Sequence, residues 1–185
     1  MNKLKFVFNS DIIKNDFKKQ NIINNWIKEK MDKDNLKYEL LYKMSENGSS
    51  SKDFHKFCDN KGPTLTLIKT TGNAIFGGFT PLNWHQEYKS EYDNKKKTFV
   101  FSLNLMEKFE LKTSTRDAIF CGDYYGPTFG NCDTAAIYFS NSLKEGRSSA
   151  KEKSNFLPFK KLKLTKGEGL WDNFDTTEIE VFRVL

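Results

Sequence analysis

The chain is poor in the residues from which most recognisable sites are built. Two of its 185 residues are histidine and three are cysteine. The cysteines have no regular spacing, and without a Cys-x-x-Cys to seed a tetrahedral zinc site no metal is expected. An odd cysteine count argues against a disulfide framework and for a reducing compartment. Met1 to Phe8 is too short and too interrupted by lysine for a signal peptide, and no run approaches the ~20 apolar residues of a membrane helix. The expectation is a cytoplasmic protein with no membrane span. Arginine is equally sparse, confined to Arg116, Arg147 and Arg183. The formal charge of +6 is therefore almost all lysine, which lacks the planar fork that readers of phosphates and bases use, so no specific nucleic-acid partner is expected. Internal repeats and low-complexity tails are also missing.

Phenylalanine is plentiful, with 17 of them in a chain that is 15% aromatic. A chain this long forms one domain burying about 70% of the surface its unfolded form exposes, and its core should be built on aromatic side chains. Structural punctuation is densest between Phe54 and Thr80. A short helix, Lys52 to Cys58, carries Phe54 and Cys58 on one face and is read as stopping at Gly62, a left-handed cap, with Pro63 beyond it. Thr64 to Thr70 and Ala74 to Phe79 read as a β-hairpin turning at Thr71-Gly72-Asn73. Gly77-Gly78 is read as a break or bulge in the returning strand, or a close backbone approach.

Upstream, Lys3 to Phe8 suggests a strand. Ser10-Asp11 is placed to cap a helix bearing Ile12, Ile13 and Phe17, and Ile22, Ile23, Trp26 and Ile27 give a second helical stripe. Lys28 to Lys37 reads as a surface connection, Tyr38 to Tyr42 as a hydrophobic segment, and Ser45 to Ser51 as a polar loop. Downstream of Trp84 a mobile polar loop is expected to Thr98. Phe99 to Leu103 then reads as a central strand, with Phe109 and Leu111 on its hairpin partner. Asp117 to Cys121 and Ala135 to Ser140 are further strands, and Gly122 to Cys132 a turn region between them. Asn141 to Asn155 is expected as a surface loop and Phe156 to Leu164 as an edge strand guarded by lysines. In the last strand, Thr176 to Leu185, Ile179 and Val181 share one face while Glu178, Glu180, Phe182 and Val184 share the other. Leu65, Leu67, Phe99 and Phe101 are expected in the core. Periodicity alone gives an all-β or α+β fold.

Two groups of residues could carry chemistry. His55 lies three residues before Cys58 on one helical face, the arrangement that activates a thiolate for a thiol-dependent peroxidase. The plainer reading, a buried inert cysteine packed with Phe54, is preferred because free cysteine is among the most buried residue types. Glu178 and Glu180 project from one strand face, as a carboxylate-dependent hydrolase would require. Solvated surface glutamates are the ordinary alternative. Cys121 and Cys132 flank a glycine-rich turn and read as reduced. Tyr125 to Gly130 offers backbone amides but lacks the lysine and following helix of a phosphate loop, so no cofactor is expected.

Several stretches together resemble one known family. Cys58-Asp-Asn-Lys-Gly-Pro-Thr-Leu-Thr-Leu-Ile-Lys69, Ile75-Phe-Gly-Gly-Phe-Thr80 and Trp84 resemble the signature of the TLDc domain of oxidation-resistance proteins. Leu40 to Lys43, Phe54-His55, Phe99 to Leu103, Tyr125 to Gly130 and Glu178 to Phe182 fall in the family's order. The resemblance spans Leu40 to Leu185. It implies an α+β, mainly β fold in which two antiparallel sheets pack as a sandwich with flanking N-terminal helices. Residues 1–39 would be a helical flank packed on the same domain and residues 40–185 the sandwich. Family-motif positions are Gly62, Pro63, Thr64, Gly77, Gly78, Trp84, Gly126, Pro127, Gly130 and Glu180. The resemblance further implies a non-enzymatic role in oxidative-stress protection, with a protein partner in subunits of the vacuolar proton-pumping ATPase. A monomeric domain standing alone is expected, without the LysM, kinase, BTB or Rab-GAP modules found beside it elsewhere. The basic segment Lys151 to Lys166, including Asn155-Phe156, departs from the family pattern.

Overall fold

The computed structural model describes residues 7–14, 16–112, 117–132, 134–149, 156–157 and 171–185. In chain order the elements are α1 (Phe17–Met31), β1 (Tyr38–Lys43), α2 (Met44–Asn47), α3 (Ser51–Cys58), β2 (Thr64–Thr70), β3 (Ile75–Thr80), β4 (Lys89–Tyr92), β5 (Phe99–Ser102), β6 (Glu107–Leu111), β7 (Asp117–Cys121), β8 (Thr128–Phe129), β9 (Tyr138–Phe139), β10 (Glu145–Ser149), β11 (Phe156–Leu157) and β12 (Trp171–Val184). Among the described residues they form a nine-stranded sheet, ordered β11-β6-β5-β3-β2-β12-β10-β9 with β1 also on β12, and a three-stranded sheet ordered β4-β7-β8. Every pairing between these strands is antiparallel. The two-sheet fold expected from the resemblance is the one observed.

The large sheet is covered on both faces, and the alternation of its strands shows how. Leu65, Leu67, Phe79, Phe99, Phe101, Phe182 and Val184 form one core with Ile23 and Ile27 of α1 and with Phe8, Ile12 and Ile13. Trp26 sets its ring edge-on to Phe99, centroids 6.3 Å apart. The opposite face buries Ile68, Phe76, Val100, Ile179 and Val181 against Ile119 and Phe129 of the small sheet, Trp84, and Phe54 and Cys58 of α3. Phe99 and Phe101 thus face one core and Val100 the other, which is why this strand is apolar on both sides. Each such side chain contributes about 1.5–3 kcal/mol on full burial.

The hairpin forms as its composition dictates. β2 and β3 pair from Thr64↔Thr80 to Lys69↔Ile75, and Asn73 takes the left-handed φ of 61° in the turn. The glycine pair, however, does not break the strand. Gly77 and Gly78 pair in unbroken register with Leu67 and Thr66 on one side and with Phe101 and Val100 on the other. They are glycine because of close approach: a Cβ on Gly77 would strike the carbonyl oxygen of Thr66 and come within 3.0 Å of Phe101, and one on Gly78 would enter the Phe129 ring.

Other expectations change. Ser10-Asp11 opens no helix; residues 11–14 are bends and turns, and a single helix begins at Phe17, capped by Asp16, whose side chain accepts from the Lys19 N–H at 3.0 Å. That helix continues through Lys28 to Met31 and stops where Asp32 turns left-handed at φ 53°. Part of the Ser45 to Ser51 loop is helical, as α2 and the start of α3. Gly62 is not the cap of α3. That helix ends at Cys58 with an extended Asp59, and the left-handed residue is Asn60, φ 57°. Gly62, before a cis bond to Pro63, is glycine because a Cβ would collide with the Leu82 carbonyl. The loop after Trp84 contains β4, paired with β7. Within Asn141 to Asn155, β10 pairs with β12 from Glu145↔Asp175 to Ser149↔Trp171. Of the Lys3 to Phe8 strand only Val7 and Phe8 are described, in a bend. Of Lys151 to Lys166 only Phe156 and Leu157 are described, and they pair with β6 as an edge strand.

Candidate functional site

α3 positions the first group. Its N-terminus is a reciprocal capping box in which Ser50 Oγ accepts from the Asp53 N–H and the Asp53 carboxylate from the Ser50 N–H, fixing the helix turn by turn. Phe54, His55 and Cys58 then fall on its inner face, all buried. His55 Nδ1 lies 2.6 Å from Asp59 Oδ1, and Nε2 lies 2.9 Å from the carbonyl oxygens of both Gly122 and Tyr125. All three partners are acceptors, so the contacts are satisfied together when both ring nitrogens donate, an arrangement that favours the imidazolium. Burial pulls its pKa down, but the hydrogen bond and charge of Asp59 together with the two carbonyls outweigh burial, and the net direction is upward. His55 is a brace tying α3 to the Gly122–Tyr125 turn.

That geometry leaves nothing to activate Cys58. The imidazole nitrogens are engaged elsewhere, and the thiol is fully buried. Burial, with the Asp59 charge adding to it, pushes its pKa well above the ordinary value. A protonated, sealed thiol is a poor nucleophile. Cys121, also buried and free, has its pKa pushed up by burial to about 12.

β12 positions the second group. Glu178 and Glu180 serve two different parts of the chain. Glu178 Oε1 accepts from the Ser45 N–H at 3.1 Å. Glu180, expected in solvent, is 1% exposed. Its Oε2 accepts from Ser10 Oγ at 2.5 Å and its Oε1 from the Asp11 N–H at 2.8 Å. Burial raises its pKa, against the lowering effect of hydrogen bonds from Ser10, Asp11 and Ile12. The carboxylate caps the bend at residues 10–13 and so holds the N-terminal segment on the sheet. Lys43, opposite Glu180 in the β1–β12 register, bonds Asp11 and Glu46 at 2.6 Å each.

The family-motif residues are mostly framework. Trp84 Nε1–H donates to Thr64 Oγ1 at 2.9 Å in the core, and the Trp84 ring sits edge-on between Phe54 and Phe129. Gly126 and Pro127 are buried beside β8. Gly130 adopts φ 105° and donates to the Ala118 carbonyl. Sequence reasoning missed the parts that Ser10, Lys43 and Asp59 play: Ser10 and Lys43 bond partners distant in the chain, and Asp59 acts through His55. It also missed a tyrosine ladder in which Tyr125 stands 5.7 Å from Tyr88 and 5.7 Å from Tyr138, over Phe120. Beside it lies a cleft of about 220 Å³ lined by Tyr138, Glu145, Arg147 and Asp175 among others, and by none of the four candidate residues.

Fold and site together define a two-sheet antiparallel β domain whose candidate reactive groups serve as internal braces. The chain belongs to the TLDc-domain family, whose profile matches residues 6–185. It is similar to the MTOR-associated protein MEAK7 of Danio rerio, 32% identical over 66 residues covering 36% of this chain and 14% of that protein. It is similar also to TBC1 domain family member 24 of Xenopus tropicalis, 34% identical over 76 residues covering 38% of this chain and 14% of the relative. The GTPase-activating protein skywalker of Drosophila melanogaster is 32% identical over 71 residues, 35% of this chain and 12% of its own length. The chain thus spans only a small part of each relative. No helix among the described residues is long and apolar enough to cross a membrane.

Proposed function

We propose that this chain is a non-enzymatic protein-binding domain that protects cells from oxidative stress in the cytoplasm, by binding or regulating the vacuolar proton-pumping ATPase. The observation that carries this reading is the commitment of the candidate reactive groups to holding the fold. His55 has both nitrogens engaged, Cys58 is sealed, and Glu180 caps the N-terminal segment. Family membership supports it too, as does a similar protein whose name records association with another protein, MTOR.

Affinity capture from a lysate of the source organism, with mass spectrometry, tests the partner. Near-stoichiometric recovery of peripheral pump subunits, lost when the fold is disrupted, is the expected result. Their absence from resting and peroxide-stressed cells, with the domain folded, would remove the pump from the proposal. The enzyme alternative is tested separately by peroxide consumption at physiological thiol levels. Cys58→Ser should leave consumption and protection unchanged; a Cys58-dependent turnover would make the protein a peroxidase instead.

A further inference from the structure

The two most exposed large apolar residues of the described chain, Tyr88 at 68% and Tyr92 at 60%, bracket a single strand. That strand, β4, is an outer edge of the small sheet: it pairs with β7 on one side, and among the described residues no strand lies beyond it. The opposite edge, β8, is closed by a bridge from Phe129 to Ile137. The one irregularity in the β4–β7 ladder runs from Glu91↔Ile119 to Tyr92↔Asp117. It skips Ala118, so the extra residue lies in β7 and β4 itself keeps its pleat. An open edge bordered by exposed aromatic rings is a template for another strand.

The sequence of that edge selects its partner. Between Tyr88 and Tyr92 it reads Tyr-Lys-Ser-Glu-Tyr, which has complementary charges about Ser90. A second copy laid antiparallel with Ser90 opposite Ser90 sets Lys89 against Glu91 twice and Tyr88 against Tyr92 twice. Opposite charges and aromatic pairs directly across a ladder attract, and like charges there repel. Moving the two-fold axis to Lys89 or to Glu91 sets that charge against its own copy. Axes between residues oppose no lysine to a glutamate. Beyond Tyr92 the chain turns away at Asp93, whose carbonyl accepts from the Lys96 N–H, so pairing ends at the second tyrosine. Within one chain Lys89 already reaches Glu87 at 2.7 Å and Glu91 at 3.3 Å, with half of its side chain still exposed.

The geometry points to a second copy of this chain as the occupant of the β4 edge, in an antiparallel pair with its two-fold axis at Ser90. The pairing is isologous and closes as a dimer. It is built from five residues a side, below the area of a standard stable interface, so association is weak and concentration-dependent.

Sedimentation velocity of the purified chain over a wide concentration range tests it. The mass should rise from the 21.5 kDa of one chain toward twice that value. Lys89→Glu and Glu91→Lys should each weaken association about tenfold, since each creates two like-charge oppositions. An equimolar mixture of these variants should recover dimer, because lysines then face glutamates again. The double variant Lys89→Glu/Glu91→Lys should recover it alone. Thermal melts confirm that each variant is folded, and should one fail to fold, Tyr92→Ser, which removes both aromatic pairs, takes its place. A wild-type chain that stays monomeric throughout, or single variants that dimerise like the parent, would overturn the proposal.

Discussion

Replacing Gly77 by alanine adds one methyl group, and the structure says where it would go. The new Cβ would overlap the carbonyl oxygen of Thr66 and approach Phe101 Cζ to 3.0 Å. The first obstacle is the backbone of β2, paired with β12 on its other side, so it cannot step aside without stretching two ladders. The second is a fully buried ring. Overpacking a well-filled site costs about 1–3 kcal/mol, and with backbone as the obstacle the upper end applies. At about 2–4 °C per kcal/mol for a domain of this size, the melting temperature should fall by about 6–12 °C; Gly77→Val should fall further. Gly78→Ala should be milder than Gly77→Ala, because the nearest atoms its Cβ meets belong to the Phe129 side chain and not to backbone, though that ring is also fully buried. Gly72→Ala is the internal control: its Cβ would find only Thr70 Oγ1, at 3.8 Å, and stability should stay within about 0.5 kcal/mol of the parent. Differential scanning calorimetry reads all four variants. A Gly77→Ala protein melting with Gly72→Ala would refute the close-approach explanation.

The His55 brace should give stability a pH dependence. Its pKa is raised on folding, so its contribution is fully present below about pH 6.5 and lost as pH rises through the raised value. Urea melts of parent and His55→Asn should therefore differ most on the acid side and converge at alkaline pH; a constant gap would show that the ring is held as the neutral form. Glu180→Ala orphans the Ser10 hydroxyl and the Asp11 N–H, at about 1–3 kcal/mol each if they stay buried, and should release the N-terminal segment. Limited proteolysis at Lys14 should then accelerate more than cleavage elsewhere, and unchanged cutting would deny Glu180 its capping role. Truncation before Glu178 removes the strand between β1 and β2 and should give aggregated protein; a soluble, cooperatively melting truncate would contradict this.

The parts of the fold legible in sequence are those that local chemistry decides. Thr64 to Phe79 announces itself because its turn residues and apolar alternation agree, and α3 because Phe54 and Cys58 share a face. What was not legible depends on distant partners. Ser10 does accept from the Ile13 N–H as a cap would, yet no helix follows; its hydroxyl and the Asp11 N–H donate to Glu180, 170 and 169 residues away, a partner that no local pattern reveals. Glu145 to Ser149 has no apolar period and still forms β10, since β12 supplies its hydrogen bonds. Glu180 looks like any strand glutamate until the N-terminal segment covers it. At the candidate site, helical spacing put His55 and Cys58 on one face, but Asp59 and the Gly122–Tyr125 carbonyls that claim the imidazole are identifiable only in three dimensions.

The placement of β12 governs how the chain can be made. β2 is translated early, yet its second neighbour is β12, and residues 71–170 must be synthesised in between. At ribosomal rates of about 5–20 residues per second, that interval lasts about 5–20 s. Throughout it the Thr64–Thr70 strand, itself buried in the finished fold, has no native partner on the edge that β12 will cover, and neither has β1. The nascent chain therefore leaves the ribosome with an open seam through its middle. Arrival of the last strand closes that seam against β1, β2 and β10 together.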